Sequence, residues 1–344
     1  MKTIMNFILK IFELLKSDPK SSIAKYLISS GSILVVGFGN LSYKFREHTF
    51  TYSDEADYLG YLFLVVGFLL LVHSYSTIRK NAVSLAYGRG LENMDIHSPI
   101  EAIPKYERFD CIPLDIKEIN SYDKNEVIDD YEFNNRLLEN RIQNKNSKKI
   151  YVGALGSFPY LFLLGSLFKN AYSNVQILDF DRYKNGGKWY KLPLLYEKEI
   201  LISHKIVIEK SKSIEETIND FNNEDNNEVG IALGYTFATN KNAIPEVLKN
   251  NTLFLETSFD RGHDILSSEE VQTKLLKELS SYMASLWEGH DKIHLFVSAQ
   301  SSMCINIGKN YMNNAHGVLV LYNYDNNLKS YNWSIEYDRG EIIL

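Results

Sequence analysis

Residues 58–78 read YLGYLFLVVGFLLLVHSYSTI, an uncharged run bounded by Asp57 and Arg79. No other feature constrains the chain as strongly. About 20 apolar residues span the hydrocarbon core of a bilayer. A helix of that length inside a protein core rarely lacks a charged residue. The segment therefore predicts a membrane-spanning helix, with a buried core helix as the alternative. Residues 26–43, YLISSGSILVVGFGNLSY, are also uncharged. Ser29, Ser30, Ser32 and Asn40 lower their hydrophobicity, and Gly31, Gly37 and Gly39 weaken the helix. Such residues suit a helix packed on another helix, where small ones allow close approach and polar ones bond across. A segment lying in the membrane interface is the alternative.

Lys2, Lys10, Lys16, Lys20 and Lys25 precede this pair of segments, and Arg79, Lys80 and Arg89 follow it. The connection over 44–57 sets Lys44 and Arg46 against Glu47, Asp54, Glu55 and Asp57. Positive flanks stay inside, so both termini are expected in the cytoplasm, with a short loop outside. The apolar run starts late and lacks a small-residue cleavage site, which argues against a signal peptide. In residues 1–20, Ile4, Phe7, Ile8, Ile11 and Leu15 fall at helical spacing, with Lys10, Glu13 and Lys16 off that face. Asp18 and Pro19 end the pattern. This helix lies on the membrane surface or packs on its own domain; the sequence does not separate the two. Residues 1–80 are thus expected to form an amphipathic helix and a two-helix transmembrane hairpin.

The remaining length leaves room for one large domain in a chain of 344 residues. The formal net charge of −6 argues against coating a DNA or RNA polymer, which needs a basic face. A small anionic ligand in a locally positive pocket stays open. The two cysteines, Cys111 and Cys304, form no CxxC pair, which excludes the usual zinc knuckle. GxSxG, GxxxxGK[ST] and HExxH are absent. His263-Asp264 and His290-Asp291 lack the further ligands of an HD-type hydrolase, and His290 and His294 straddle the start of a predicted strand. No catalytic residue, metal or cofactor is expected.

Residues 81–147 read as a connector broken by Pro99, Pro104 and Pro113. It ends in a helix over 125–143 with Val127, Tyr131, Leu138 and Ile142 at compatible spacing. An α/β domain over 148–344 follows. Residues 150–154 (IYVGA) predict a strand and 155–159 (LGSFP) a turn with helix-start chemistry. A helix over 160–168 and a strand over 175–180 come next. The same order recurs as strand 293–297, turn 298–302 (SAQSS), helix 303–311 and strand 318–322. The two copies align without a gap at an offset of 143 positions, with Gly165 on Gly308 and Val175 on Val318. They are two copies of one half, or two generic βαβ units. Between them, 229–233 and 252–255 predict strands. A helix over 267–287 carries the stripe Val271, Leu275, Leu279, Met283 and Leu286. Ser267 and Glu270 suit a capping box, and Gly289 a stop.

The stretch LWEGHD, then KIHLFVSAQSSMCINIGKNY, then GVLVLYNYDNNLKSYNWSIEY resembles the SAVED family. KIYVGALGSFPYLFLLGSLF with VQILDFDRYKNGGKWYKL looks like its partner half. The resemblance covers roughly 150–337. The Pro expected in the second turn is absent, and Gln300, Ser301 and Ser302 stand there. The resemblance implies an α/β fold: an N-terminal transmembrane helical hairpin plus a cytosolic SAVED domain of two fused CARF-like Rossmann-type halves. It implies a cyclic di- or trinucleotide, made by a partner nucleotidyltransferase after phage infection, as activating ligand. It implies ligand-driven self-association into higher oligomers, similar to membrane-acting effectors of bacterial CBASS antiphage defence. The hairpin would then disrupt the lipid bilayer of the inner membrane, leading to growth arrest or cell death.

Such a ligand offers phosphates, ribose hydroxyls and flat bases. Phosphates suit helix starts after strands, which points to Leu155, Gly156, Ser157 and Phe158 and to Ser298, Ala299, Gln300 and Ser301. Open α/β sheets bind ligands at strand carboxyl ends, which adds Asp179, Phe180, Asp181 and Arg182, and Asn323 and Tyr324. Arg182 suits a phosphate or a base face. Phe158, Phe180, Tyr235 and Tyr324 offer stacking faces. Two other readings compete: a membrane-anchored nucleotide-degrading enzyme, with Asp179 and Asp181 as a carboxylate pair, and a ligand-free membrane scaffold.

Overall fold

The computed structural model describes residues 24, 26–30, 43–45, 48–50, 54–80, 83–89, 99–105, 107–108, 111–117, 123–143, 149–168, 174–181, 187–194, 203–207, 212–224, 226–258, 266, 268–311 and 317–343. The chain divides into two units, residues 1–83 with 103–112 and residues 84–102 with 113–344.

In the first unit, helix α1 (Asp54–Lys80) covers the strongest apolar segment. Tyr61, Leu62, Val65, Phe68 and Leu69 on it are exposed. Gly60, Gly67 and Leu71, which share one helical face, are buried. Residues 26–30 are helical and meet that face. A Cβ on Gly67 would lie 2.7 Å from Ile28 Cγ1 and 3.2 Å from the Ala24 carbonyl oxygen. The two segments thus pack through Gly67 of α1; of the small and polar residues singled out in 26–43, Ser29 and Ser30 are exposed and residues 31–42 lie outside the described residues. The connection between the segments contains a β-hairpin, β1 (Tyr43–Phe45) with β2 (His48–Phe50), so Tyr43 belongs to a strand. The expected transmembrane hairpin is not found: among the described residues no helix is long and apolar enough to cross a membrane. The amphipathic helix over 1–20 and residues 31–42 lie outside the described residues.

The second unit holds two sheets. The first has five strands in the order β4-β3-β5-β6-β7. These are β3 (Val83–Arg89), β4 (Cys111–Ile116), β5 (Lys149–Leu155), β6 (Val175–Asp181) and β7 (Lys188–Lys191). Helices α2 (Lys124–Gln143) and α3 (Phe158–Ser166) belong to the same half. The stretch read as a connector therefore supplies two strands and a helix of the domain, which begins well before residue 148. Local pattern hides β3 because its residues Ser84 to Gly88 are buried without alternation, as expected of a strand covered on both faces.

The second sheet has seven strands in the order β8-β10-β9-β11-β12-β13-β14. They are β8 (His204–Ile206), β9 (Glu228–Gly234), β10 (Thr252–Thr257), β11 (Lys292–Ser298), β12 (Val318–Asp325), β13 (Ser330–Asp338) and β14 (Glu341–Ile343). Its central pairs, β10 with β9, β9 with β11 and β11 with β12, are parallel. The pairs toward the edges are antiparallel. Helices α4 (Ile214–Asn222), α5 (Glu269–Leu286) and α6 (Ser301–Asn310) complete the half. A capping box between Ser213 and Glu216 starts α4. Ser268 caps α5 by accepting from the Val271 N–H at 3.3 Å, one residue later than expected; Ser267 lies outside the described residues. The predicted stripe on α5 is buried throughout.

The internal repeat is deeper than the sequence shows. The order β4-β3-β5-β6-β7 returns as β10-β9-β11-β12-β13, with β8 and β14 added at the edges. Strands β5 and β11, helices α3 and α6, and strands β6 and β12 each start 143 positions apart. The cross-strand pair Asp181↔Lys188 also returns 143 positions on, as Tyr324↔Tyr331. Beyond it a bulge between Asn323 and Tyr324 shifts the second ladder.

The two halves meet where α3 crosses α6. A Cβ on Gly165 would overlap the carbonyl oxygen of Ile305, and one on Gly308 that of Phe162. Ile305 and Gly308 follow Phe162 and Gly165 at the repeat offset, so the contact is reciprocal. Around it Phe162, Tyr311 and Tyr337 form an edge-to-face cluster with centroids 5.2–6.0 Å apart. The Tyr131 hydroxyl lies 3.0 Å from Ser166 Oγ and 3.3 Å from the Tyr337 hydroxyl.

Gly165→Leu and Gly308→Leu should each destabilise the chain by about 1–3 kcal/mol or more, because backbone must move apart. The double variant should cost less than the sum of the two, since either one already separates the helices. Thermal unfolding checks both statements, and unchanged midpoints in the single variants would refute the crossing.

Candidate functional site

The turns after β5 and β11 lead directly into α3 and α6. Both N-caps are extended, Ser157 at φ −69° and ψ 158° and Gln300 at φ −64° and ψ 151°. Neither makes a side-chain cap bond. The side-chain cap expected of Ser157 is therefore absent, while the expected early proline, Pro159, stands in the first turn of α3. Leu155 and Phe158 are buried, with Phe158 edge-on to Phe162, while Gly156 and Ser157 are partly exposed. Ser298, Ala299, Gln300 and Ser301 are all partly exposed.

Ser298 is a junction between β9 and β11. Its carbonyl accepts from the N–H groups of Tyr235 (2.9 Å) and Thr236 (3.0 Å). Its hydroxyl meets Thr236 Oγ1 at 3.2 Å and accepts from the Phe237 N–H at 3.3 Å. Phe237 carries its ring outward, 62 % exposed. It is the aromatic face at this rim, and sequence reasoning missed it for Tyr235. Tyr235 is fully buried and presents no stacking face. Its hydroxyl sits 2.7 Å from His204 Nε2, and His204 Nδ1 sits 2.9 Å from Glu278 Oε2. Burial pushes the Tyr235 phenol up, with Glu278 adding to it. Burial pulls His204 down against the opposing pull of Glu278. A neutral His204 with its proton on Nδ1 satisfies both neighbours, donating to Glu278 and accepting from Tyr235.

At the end of β6, Asp179 is buried. It accepts from the Phe180 N–H at 2.9 Å, the Ser302 hydroxyl at 2.9 Å and the Tyr190 hydroxyl at 3.4 Å. Desolvation raises its pKa, and these bonds lower it in part. Its charge and, above all, burial hold the neighbouring Cys304 thiol up. Asp179 and Asp181 therefore do not make an accessible carboxylate pair, because only Asp181 is partly exposed. Phe180 packs tilted on Trp189 at 5.2 Å. Arg182 lies outside the described residues. Asn323 and Tyr324 are partly exposed at the bulge of β12, with Tyr324 edge-on to Tyr331 at 5.1 Å.

Of the predicted residues, those described stand at strand carboxyl ends and helix starts, with Leu155, Phe158, Asp179 and Tyr235 buried there. Buried partners missed in the sequence, His204, Gln272 and Ser302, lie behind them. Their local pattern carries no sign of the role, since each pairing is non-local. His290 and His294 take separate partners, the Leu286 carbonyl for one and Glu228 with Tyr322 for the other. Among the described residues no group of three or more His, Cys, Asp or Glu is placed to hold a metal ion.

Residues 133–336 match the family model described as the SMODS-associated and fused to various effectors sensor domain. No curated protein matches the chain. Among solved structures, the chain is similar to the Cap4 SAVED/CARF-domain containing receptor of Acinetobacter baumannii with the cyclic trinucleotide 2′3′3′-cAAA, at 15 % identity and TM-score 0.47. The match covers 84 % of this chain and 59 % of that one. The Moraxella osloensis Cap4 receptor matches at 15 % identity and TM-score 0.44, over 82 % of this chain and 60 % of that one. The chain therefore spans about three fifths of the receptors it matches.

The raised pKa of Asp179 makes its carboxyl most favourable to folding at low pH. That contribution is complete below the ordinary carboxylate range and is lost as pH rises through the elevated value. Relative to the wild type, Asp179→Asn should gain stability as pH rises through that interval, by up to about 1.4 kcal/mol per pH unit. Urea unfolding over a pH series reads this difference, and a pH-independent difference would contradict it.

Proposed function

Because the chain belongs to the SAVED family of sensor domains, we propose that it senses a cyclic di- or trinucleotide and acts at a membrane in bacterial antiphage defence. The observation that carries this reading is the duplicated strand–turn–helix unit, joined at its two helices. A ligand with repeated phosphate and base units matches a receptor with repeated strand carboxyl ends and rims. Gly156, Ser157, Ser298 and Phe237 supply backbone donors, hydroxyls and an exposed ring of the required kinds. The family model describes a sensor, and the chain is accordingly read as a receptor and effector and not as an enzyme.

Ligand binding drives self-association of the α/β domain. Association gathers the N-terminal units, and α1 brings an exposed apolar surface to that assembly. The two N-terminal segments then act on the inner membrane, with both termini and the sensor domain on the cytoplasmic side. The length and charge pattern of residues 58–78 support the membrane step.

Calorimetric titration of the full chain with a panel of cyclic di- and trinucleotides tests the sensor step. One member should bind saturably, and Ser157→Glu should weaken that binding at least about tenfold, or about 1.4 kcal/mol. The folded state should survive, since an acidic residue at a helix start is favourable. No binding across the panel by folded protein would sink the reading. Dye release from anionic liposomes tests the membrane step: release should require the bound nucleotide, and equal release without it would reject ligand-driven association.

A further inference from the structure

The two helix starts differ in what their second helical residue can donate. Where α3 carries Pro159 as its second helical residue, α6 carries Ser302, at the repeat offset. Proline has no N–H. Ser302 adds a backbone N–H and a hydroxyl at a helix start whose N-cap, Gln300, makes no side-chain cap bond. A buried donor left without an acceptor is costly. Asp179 of the first half removes that cost. Its carboxyl accepts from the Ser302 hydroxyl at 2.9 Å, and the Ser302 N–H is close enough to hold the pKa of that carboxyl down. Ser302 Oγ in turn accepts from Gln272 Nε2 at 2.8 Å, and Asn306 Nδ2 donates to Gln272 Oε1 at 2.6 Å. Asp179, Ser302 and Gln272 are all buried.

The repeat does not return this contact. The position equivalent to Asp179 in the second half is Tyr322, whose hydroxyl meets His294 Nδ1 at 3.2 Å and is also bonded by Ser334. A carboxyl from one half thus enters the helix start of the other, and only in one direction.

We infer that Asp179 is a specificity-determining residue that closes the α6 start to phosphate, so that the two halves meet a ligand unequally. The ligand in this statement rests on the sensor reading above; the closure itself is a property of the fold. A phosphate approaching α6 would have to displace a buried carboxyl from the donors that a helix start otherwise offers to anions.

Chemical rescue with inorganic phosphate tests the closure without any nucleotide. The full chain, Asp179→Ala and Asp179→Asn are unfolded thermally in phosphate and in chloride at matched ionic strength. The alanine variant opens the space and leaves Ser302 without its acceptor, so phosphate should raise its midpoint by several degrees. The wild type and the asparagine variant, where the space is filled, should show only the small shared gain that phosphate gives folded proteins in general. If the alanine variant does not fold in chloride, recovery of its helical signal in phosphate is the readout. Equal gains in all three proteins, no gain in any, or no recovery would overturn the inference. Rescue alongside a failed nucleotide panel would overturn the sensor reading and leave the closure standing.

Discussion

The architecture depends on the crossing of α3 and α6 at Gly165 and Gly308. Each glycine admits a backbone carbonyl of the opposite helix where a Cβ would stand. Backbone contacts this close fix the two helices in both depth and rotation, because no side chain is left to yield. Each helix follows its strand after a two-residue turn, Gly156-Ser157 in one half and Ala299-Gln300 in the other. Fixing the crossing therefore fixes the carboxyl ends of β5 and β11. The candidate site inherits its geometry from that contact.

Reciprocity at the glycines does not extend to the polar groups around them. On one side Tyr131, Ser166 and Tyr337 form a chain of hydroxyls. On the other, Asp179, Ser302, Gln272 and Asn306 form a carboxyl-to-amide network. The second sheet also gains β8, which brings His204 between Glu278 and Tyr235. A duplicated backbone has thus been given unequal sides. The departures sit at buried polar positions, where every donor needs a named acceptor and a change in one residue demands a change in its neighbour.

The N-terminal unit follows a different logic. Its exposed apolar residues on α1 and the close approach of Gly67 to Ala24 and Ile28 are features of helices that associate through small residues. Between its two segments the backbone pairs as a short antiparallel β-hairpin, Tyr43–Phe45 with His48–Phe50.

Some of this was determined by the sequence alone. Element type in the repeated half-units follows from apolar runs and helix-start residues, and the offset of 143 positions already aligned Gly165 with Gly308. Helix α5 was legible because its stripe repeats at helical spacing, a local property. The family followed from those same stretches. Only the tertiary structure decided that β3 and β4 join the first sheet, that Tyr235 points inward while Phe237 points out, and that the Asp179 carboxyl accepts from Ser302 on the other half's helix. The reason is the same in each case. Strand partners, burial on both faces and buried hydrogen bonds are set between residues far apart in the chain, such as Asp179 and Ser302, and no local pattern of residue types encodes them.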